Sequence, residues 1–387
     1  MRIFKLSALI TAFAILSSCA ENSEINSSEN FPELYHQDIE QLYITPDEKT
    51  SENKHINYNV QHAKWIPYLL YPDIMLNRSE DEFRNSVIKI LEDAKNQDIN
   101  TIYFQARSFG DSYYKSELFP AGTFMNSDYD ALEIFISEAH KLNISVHAWI
   151  NPLRCQTAEE FSSVPDNFTT KKWFSEFEGT YICNVNGRMW LNPAYEEVRD
   201  FISEGVSEII KNYDVDGIHI DDYFYPPTDE SFDKSAFSDS GEDNLKNWRI
   251  ENINKLVSEI YSEIKSYDKD ILFGISPQGN TDIDYNSQFA DVKAWCSDDK
   301  YCDYIVPQIY FGFRNDTCPF EQTFNEWYDM TKNSDVSLVA GLAVYKQGKE
   351  DKWAGSGKNE WIEDSDIIQK QIDFISEYEN VGFSLYC

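Results

Sequence analysis

The chain is short of positive charge: 33 lysines and arginines stand against 67 aspartates and glutamates, a formal charge of −34. That balance excludes a nucleic-acid partner, because phosphate backbones need a basic stripe and a high pI. It suits a neutral, cationic or metal-screened substrate instead. The six histidines contain no HxH or HxxxH spacing, and the cysteines no CxxC, so no tight metal site is expected. No Gly-rich phosphate turn follows the first predicted strand, which argues against an open dinucleotide-binding sheet. No cofactor is expected. The apolar run from Leu6 to Leu16 is shorter than the roughly 20 residues a membrane-spanning helix needs.

That run has a different reading. "MRIFKLSALITAFAILSSCAEN" places Arg2 and Lys5 before it and small residues after it, the layout of a secretory signal. "ILSSC" is similar to a bacterial lipobox, so residues 1–18 are expected to be removed and Cys19 to become the lipid anchor of an envelope lipoprotein. The alternative is an ordinary signal with a chance cysteine. Residues 19–59, rich in Ser, Asn and Glu, read as a flexible linker from that anchor to a domain spanning 60–387. The other cysteines are Cys155, Cys183, Cys296, Cys302, Cys318 and Cys387. An even count in an exported protein predicts disulfides, with Cys155–Cys183 stapling a long loop and Cys296–Cys302 a short one.

From Trp65 onward strand and helix alternate. "WIPYLLY", "INTIYFQAR", "ISVHAWINP", "YDVDGIHIDD", "ILFGISP", "CDYIVPQIYF", "SLVAGLAVY" and "VGFSLYC" read as eight buried strands. Helical patterns separate them, such as Phe83, Val87, Ile88, Leu91 and Ala94 on one face. Eight strands joined by helices predict a (β/α)8 TIM barrel, with a long disulfide-stapled insertion after the third strand. No eighth helix follows the last strand. Either the segment before strand one fills that place, or the sequence is truncated.

The fourth strand carries the strongest signal, two adjacent acids where a buried strand runs out. Alternation sends Ile218 and Ile220 toward the helices, and so turns His219 and Asp221 into the barrel, with Asp221 at the carboxyl end. That end is where barrel enzymes keep their active sites. Other strand ends bring Gln105, Arg107, Trp149, Asn151, Ser276, Gln278, Gln308 and Tyr310 to the same rim. Aromatic rings stack on sugar faces while amides, Arg and carboxylates bond hydroxyls, so the rim reads as a glycan groove. In the insertion, Trp173, Phe174 and Trp190 line a subsite or form a satellite core.

At this point the residues resemble a known family. "LNPAYEEVRDFISEGVSEIIKNYDVDGIHIDDYFYP", "FQARSFGDSYYKSELFPAGTF", "HAWINPLR" and "YIVPQIY" resemble the strand-end motifs of the glycosyl hydrolase-like 10 family of bacterial envelope proteins, over about Ala63 to Tyr386. The resemblance implies a barrel and glycoside hydrolysis, with relatives acting on peptide-free peptidoglycan glycan strands. It implies Asp221 and Asp222 as the acidic pair, and Gln105, Arg107, Asp111, Asn151 and Gln308 as rim positions. Trp149, His219, Tyr223 and Tyr310 complete the expected substrate-binding set. The strand is also similar to the family 18 chitinase motif, laid over Asp216, His219, Asp221 and Tyr223. Tyr223 stands where that motif needs its acid, and a phenol titrating near 10 is a poor substitute, so chitin cleavage is not expected.

Glycoside hydrolysis needs two carboxyl groups across the scissile bond. Adjacent aspartates on a regular strand point apart, so Asp221 and Asp222 can serve together only if the chain bends between them. Otherwise the partner is Asp73, Asp111, Glu117 or Asp282. The expected roles are Asp221 as nucleophile or base, and Asp222 as acid or substrate ligand. Two other classes stay open: a glycan-binding barrel without catalysis, and a metal-dependent polysaccharide deacetylase using His147, His219, Asp221 and Asp222.

Overall fold

Eight parallel strands close into a barrel in the computed structural model, which describes residues 55–387 except Ser127 and Glu178. In chain order the strands are β1 (His62–Ile66), β2 (Thr101–Arg107), β3 (Ser145–Ile150), β4 (Arg154–Thr157), β5 (Ile182–Val185), β6 (Arg188–Leu191), β7 (Gly217–Ile220), β8 (Leu272–Ile275), β9 (Tyr304–Ile305), β10 (Ser337–Ala343) and β11 (Gly382–Tyr386). The barrel runs β1-β11-β10-β9-β8-β7-β3-β2, while β4, β6 and β5 form a separate antiparallel sheet in the insertion after β3. All eight expected barrel strands are present. The first begins three residues earlier than "WIPYLLY" and ends at Ile66, because Pro67 opens a 3-10 turn, Tyr68–Leu70.

Alternation splits the barrel strands as expected up to Gln105 of β2, where the register shifts. Ile102, Phe104, Val146, Ala148, Ile218, Ile220, Phe273 and Ile275 join the core under the helices. The barrel interior instead holds Ala63, Trp65, Tyr103, Trp149, Tyr304, Val306 and Val339. Rings this large need room, and Gly217 provides it: a Cβ there would stand 2.7 Å from the His147 ring. Two of the outer helices begin on side-chain caps that supply a first-turn N–H group with an acceptor, Ser79 with Glu82 at Glu80–Asn96 and Asp130 at Ala131–Lys141.

The disulfide expectation is corrected here. All six described cysteines are free thiols. Cys155 lies on β4 and Cys183 on β5, with β6 between them. Two strand spacings amount to about 10 Å, beyond the roughly 7 Å Cα separation a disulfide can bridge. The insertion is held by its sheet and by a satellite core, in which Trp173 packs on Tyr181 and Phe201. Cys302 sits in the core and donates to Trp295 O (3.7 Å) without bonding Cys296. Ahead of β1, Ile56 N donates to Asp216 (2.6 Å) and Asn57 to Asp270 O (2.6 Å), which ties these two residues to the barrel floor.

Candidate active site

β7 ends at Ile220 and the backbone bends at Asp222, and the two acids lie close enough at the barrel mouth for the Asp222 charge to act on Asp221. Asp221 is buried, and its Oδ1 makes no hydrogen bond. Burial lifts its pKa well above the carboxylate range and the Asp222 charge adds to this, while Arg154, the Trp149 indole and the Tyr223 backbone oppose. Asp222 is half-buried and accepts from Gln278 Nε2 (3.1 Å). Burial raises it too, but the Gln308 and Gln278 amides favour its ionised form. The two neighbours thus sit in environments that push their proton affinities apart.

Behind them stands Asp284, fully buried, whose Oδ1 accepts from Gln278 N (3.0 Å) and whose Oδ2 has no partner. Burial first, and the Asp222 charge after it, raise this acid well above the usual range. It opens a single π-helical turn, Asp284–Gln288, too short to give a period to read, and the candidate two residues earlier, Asp282, is exposed. Asp73 is exposed on the turn after β1. Glu117 lines a cleft of about 850 Å3 on the outer wall, beside Glu204 and Glu208 of the helix Glu196–Asn212. The acid pair lies at the mouth, away from that cleft.

The other expected residues divide into lining and support. Gln308, Trp149 and Tyr223 stand around the pair. Asn151 follows β3 with its Oδ1 buried and unpartnered. Tyr310 joins Trp65, Tyr345 and Tyr386 in an aromatic cluster along the rim. Gln105, by contrast, is engaged: its Oε1 accepts from Tyr68 N (2.8 Å) and fixes the β1 loop. Asp111 accepts from Ser108 N and Phe109 N (3.0 and 2.8 Å), closing the loop that carries Phe109.

Arg107 is not at the rim. The β2/β3 register shifts between Gln105 and Arg107, which aligns Arg107 with the outward Ile150. Its guanidinium lies 4.1 Å from the Phe119 ring centre, in room left by Gly205. His219 lies below the acids, stacked on Tyr103 at 4.1 Å. The Trp65 indole can only donate, so His219 Nε2 accepts from it (3.3 Å) and Nδ1 carries a proton toward the Tyr304 hydroxyl (3.1 Å), which donates to His147 Nδ1 (2.6 Å). Burial lowers His147 to about 4 and holds His219 well below the ordinary histidine value, so both rings are neutral. With both His219 nitrogens engaged, the ligand set of the deacetylase reading does not assemble. Among the described residues no three His, Cys, Asp or Glu side chains are grouped to hold a metal ion.

Sequence reasoning missed Arg154, Arg188 and Phe109. The Arg154 guanidinium lies 4.0 Å from the Tyr223 ring centre and 5.0 Å from that of Phe109, and Arg188 lies 4.7 Å from the same Phe109 centre. "HAWINPLR" contained Arg154, but nothing in its spacing said that β4 would turn it back over the mouth.

An eight-stranded barrel with adjacent carboxyl groups at the carboxyl ends of its strands defines the class: a glycosidase-type barrel. More particularly, residues 58–355 match the family described as glycosyl hydrolase-like 10, and the chain belongs to it. It is 30% identical over 314 residues to glycosyl hydrolase YngK of Bacillus subtilis (strain 168), spanning 73% of this chain and 60% of that protein. It is 28% identical over 327 residues to glycosyl hydrolase DigH of Escherichia coli (strain K12), covering 75% of this chain and 72% of that one. Among solved structures, the PgaB (BpsB) glycoside hydrolase domain from Bordetella bronchiseptica superposes with a TM-score of 0.59 at 12% identity, over 85% of this chain and 94% of that one. An α-L-fucosidase from Paenibacillus thiaminolyticus gives 0.56 at 12%, over 85% of this chain and 46% of that one. At such identities the likeness shows the fold.

Proposed function

We propose that the protein is an envelope glycoside hydrolase, anchored through Cys19, that cuts the glycan strands of bacterial peptidoglycan freed of peptide. The pairing of Asp221 with Asp222 at the barrel mouth carries the reading. The family supports hydrolysis, the strand-end motifs support the substrate, and the lipobox-like "ILSSC" supports the anchor.

The environments favour roles opposite to those expected from sequence. Asp221, buried beside another acid, keeps its proton and acts as general acid toward the glycosidic oxygen. Asp222, held by the two glutamine amides, is the ionised base or nucleophile on the other side of the bond. Trp149, Asn151, Tyr223, Gln308 and Tyr310 bind the sugars.

Mass spectrometry of soluble products tests the reading, using peptide-free strands and intact peptidoglycan with wild type, Asp221→Asn and Asp222→Asn. Short oligosaccharides from wild type that disappear in both variants support it. No products from either substrate, with glycan binding retained, would replace the enzyme by a glycan-binding barrel. Palmitate labelling that Cys19→Ser abolishes tests the anchor.

A further inference from the structure

We propose that Arg154 and Arg188 form a carboxylate-binding subsite beside the acid pair, so that the glycan cleaved carries an acidic sugar next to the scissile bond. This deepens the reading above and rests on it. It also runs against the chain's overall charge, which by itself suited a neutral or cationic substrate.

Arginines are scarce in this chain and most are occupied. Arg78, Arg84, Arg199, Arg249 and Arg314 pair with carboxylates within 4 Å. Arg154 and Arg188 have no such ion pair among the described residues, although acids outnumber bases two to one. Both are half-buried at the mouth and share the Phe109 ring. Two like charges held over one ring repel each other, and the Arg188 pKa is lowered by burial and then by Arg154.

The neighbouring acids are engaged elsewhere. Glu160 Oε2 accepts from Thr157 N and Oγ1 (2.9 and 2.8 Å) in a helix cap. Asp111 closes the Phe109 loop. Asp221 and Asp222 feel the Arg154 charge, but neither forms an ion pair with it.

The arginines are also pre-positioned. Arg188 Nη1 donates to Cys155 O (2.8 Å), while Arg154 is stacked on Tyr223 with its Nε fully buried and unpartnered. A guanidinium fixed by stacking, with donors unspent, is built to take a planar oxyanion, and a carboxylate matches its fork. Arg154 stands over Tyr223, the residue after the acid pair, so the carboxylate it binds belongs to the reacting sugar or its immediate neighbour.

Two sources supply such a group: the lactyl carboxylate of muramic acid, exposed once the peptide is gone, or the carboxylate of a uronic acid. The experiment compares kcat/KM on peptide-free peptidoglycan strands, on the same strands with carboxyls converted to methylamides, and on a glucuronate-containing N-acetylglucosamine polymer. Enzymes are wild type, Arg154→Met, Arg188→Met and Arg154→Lys, each checked for folding by circular dichroism. Wild type is expected to prefer native over amidated strands by roughly 10- to 100-fold. Each Met variant should bring that ratio toward one, mainly through KM, with Arg154→Lys between. Equal rates on native and amidated strands, or a ratio unchanged in both Met variants, would overturn the subsite. Arginine-dependent cleavage of the glucuronate polymer alone would keep the subsite and reject the peptidoglycan reading. If no polymer is cut, titration with N-acetylmuramic acid and glucuronic acid against N-acetylglucosamine decides: an Arg154-dependent preference for an acidic sugar supports the subsite, and no preference sinks it.

Discussion

Asp216 and Asp221 stand at opposite ends of β7, both buried, in opposite conditions. Asp216, at the amino end, accepts from Ile56 N (2.6 Å), Val146 N (2.8 Å) and His140 Nε2 (2.8 Å). Asp221, at the carboxyl end, leaves Oδ1 without a partner and shares its space with a second acid. A carboxyl group that is fully hydrogen-bonded fastens the chain together, whereas one left short of partners is costly to ionise and has capacity for a substrate. The lower end of the strand is therefore built for stability and the upper end for chemistry, the division expected of barrel enzymes.

The largest effect expected is at the upper end. Asp221→Asn should lower kcat by about 10²- to 10⁴-fold, the usual worth of a general acid. The same change should not destabilise the fold. With its pKa raised in the folded state, Asp221 imposes no cost below the unfolded carboxylate pKa of about 4, and a growing one as pH rises toward its folded value. At neutral pH the neutral amide removes that cost, so thermal unfolding should show a Tm equal to or above wild type.

At the lower end the pattern should invert. Asp216→Ala strands the buried Val146 N–H and the half-buried Ile56 N–H, and a buried group left unpaired costs about 1–3 kcal/mol. A loss of roughly 3 kcal/mol in urea unfolding is expected, with kcat retained in the protein that stays folded. A large kcat loss in Asp216→Ala, or a large stability loss in Asp221→Asn, would break the contrast.

This contrast was half legible in the sequence. Period-two alternation placed Ile218 and Ile220 outward and His219 and Asp221 inward, because one face of a barrel strand must meet the helices. The same rule misplaced Arg107, since a register shift in β2 reverses the parity beyond Gln105 and leaves no mark in composition. It was also silent about Asp216, whose partners come from Ile56, Val146 and His140, all far along the chain. Asp284, Arg154 and Arg188 escaped for a related reason: they lie on a single π-helical turn or in the small insertion sheet, and only tertiary folding brings them to the mouth. The cysteine count misled because a count says nothing of the strand that separates Cys155 from Cys183.

A smaller effect separates the two acids of the mouth. If Asp222 acts ionised, activity rises on the acid side of the pH profile as the pair loses its first proton, and the Gln278 and Gln308 amides hold that step down. Gln278→Leu removes one donor (3.1 Å), so the acid limb of kcat/KM should move to higher pH, by about one unit for a loss of about 1.4 kcal/mol. The alkaline limb, set by the Asp221 proton, should move less. A shift confined to the alkaline limb would reverse the assignment of acid and base.

The smallest effect tests whether the lower end is a network or a single bond. His140 reaches Asp216 Oδ2 at 2.8 Å from the side open to solvent, while Val146 N reaches the same oxygen from within. Removing the imidazole leaves that oxygen with its backbone donor and lets water replace the ring, so His140→Ala should cost only about 1 kcal/mol. Activity at the mouth should not change, because the intervening strand is held by its ladder to β3 and β8. A cost near that of Asp216→Ala would mean that the backbone bonds hold only when the histidine orients the carboxylate, and the floor of the barrel would then be one cooperative unit.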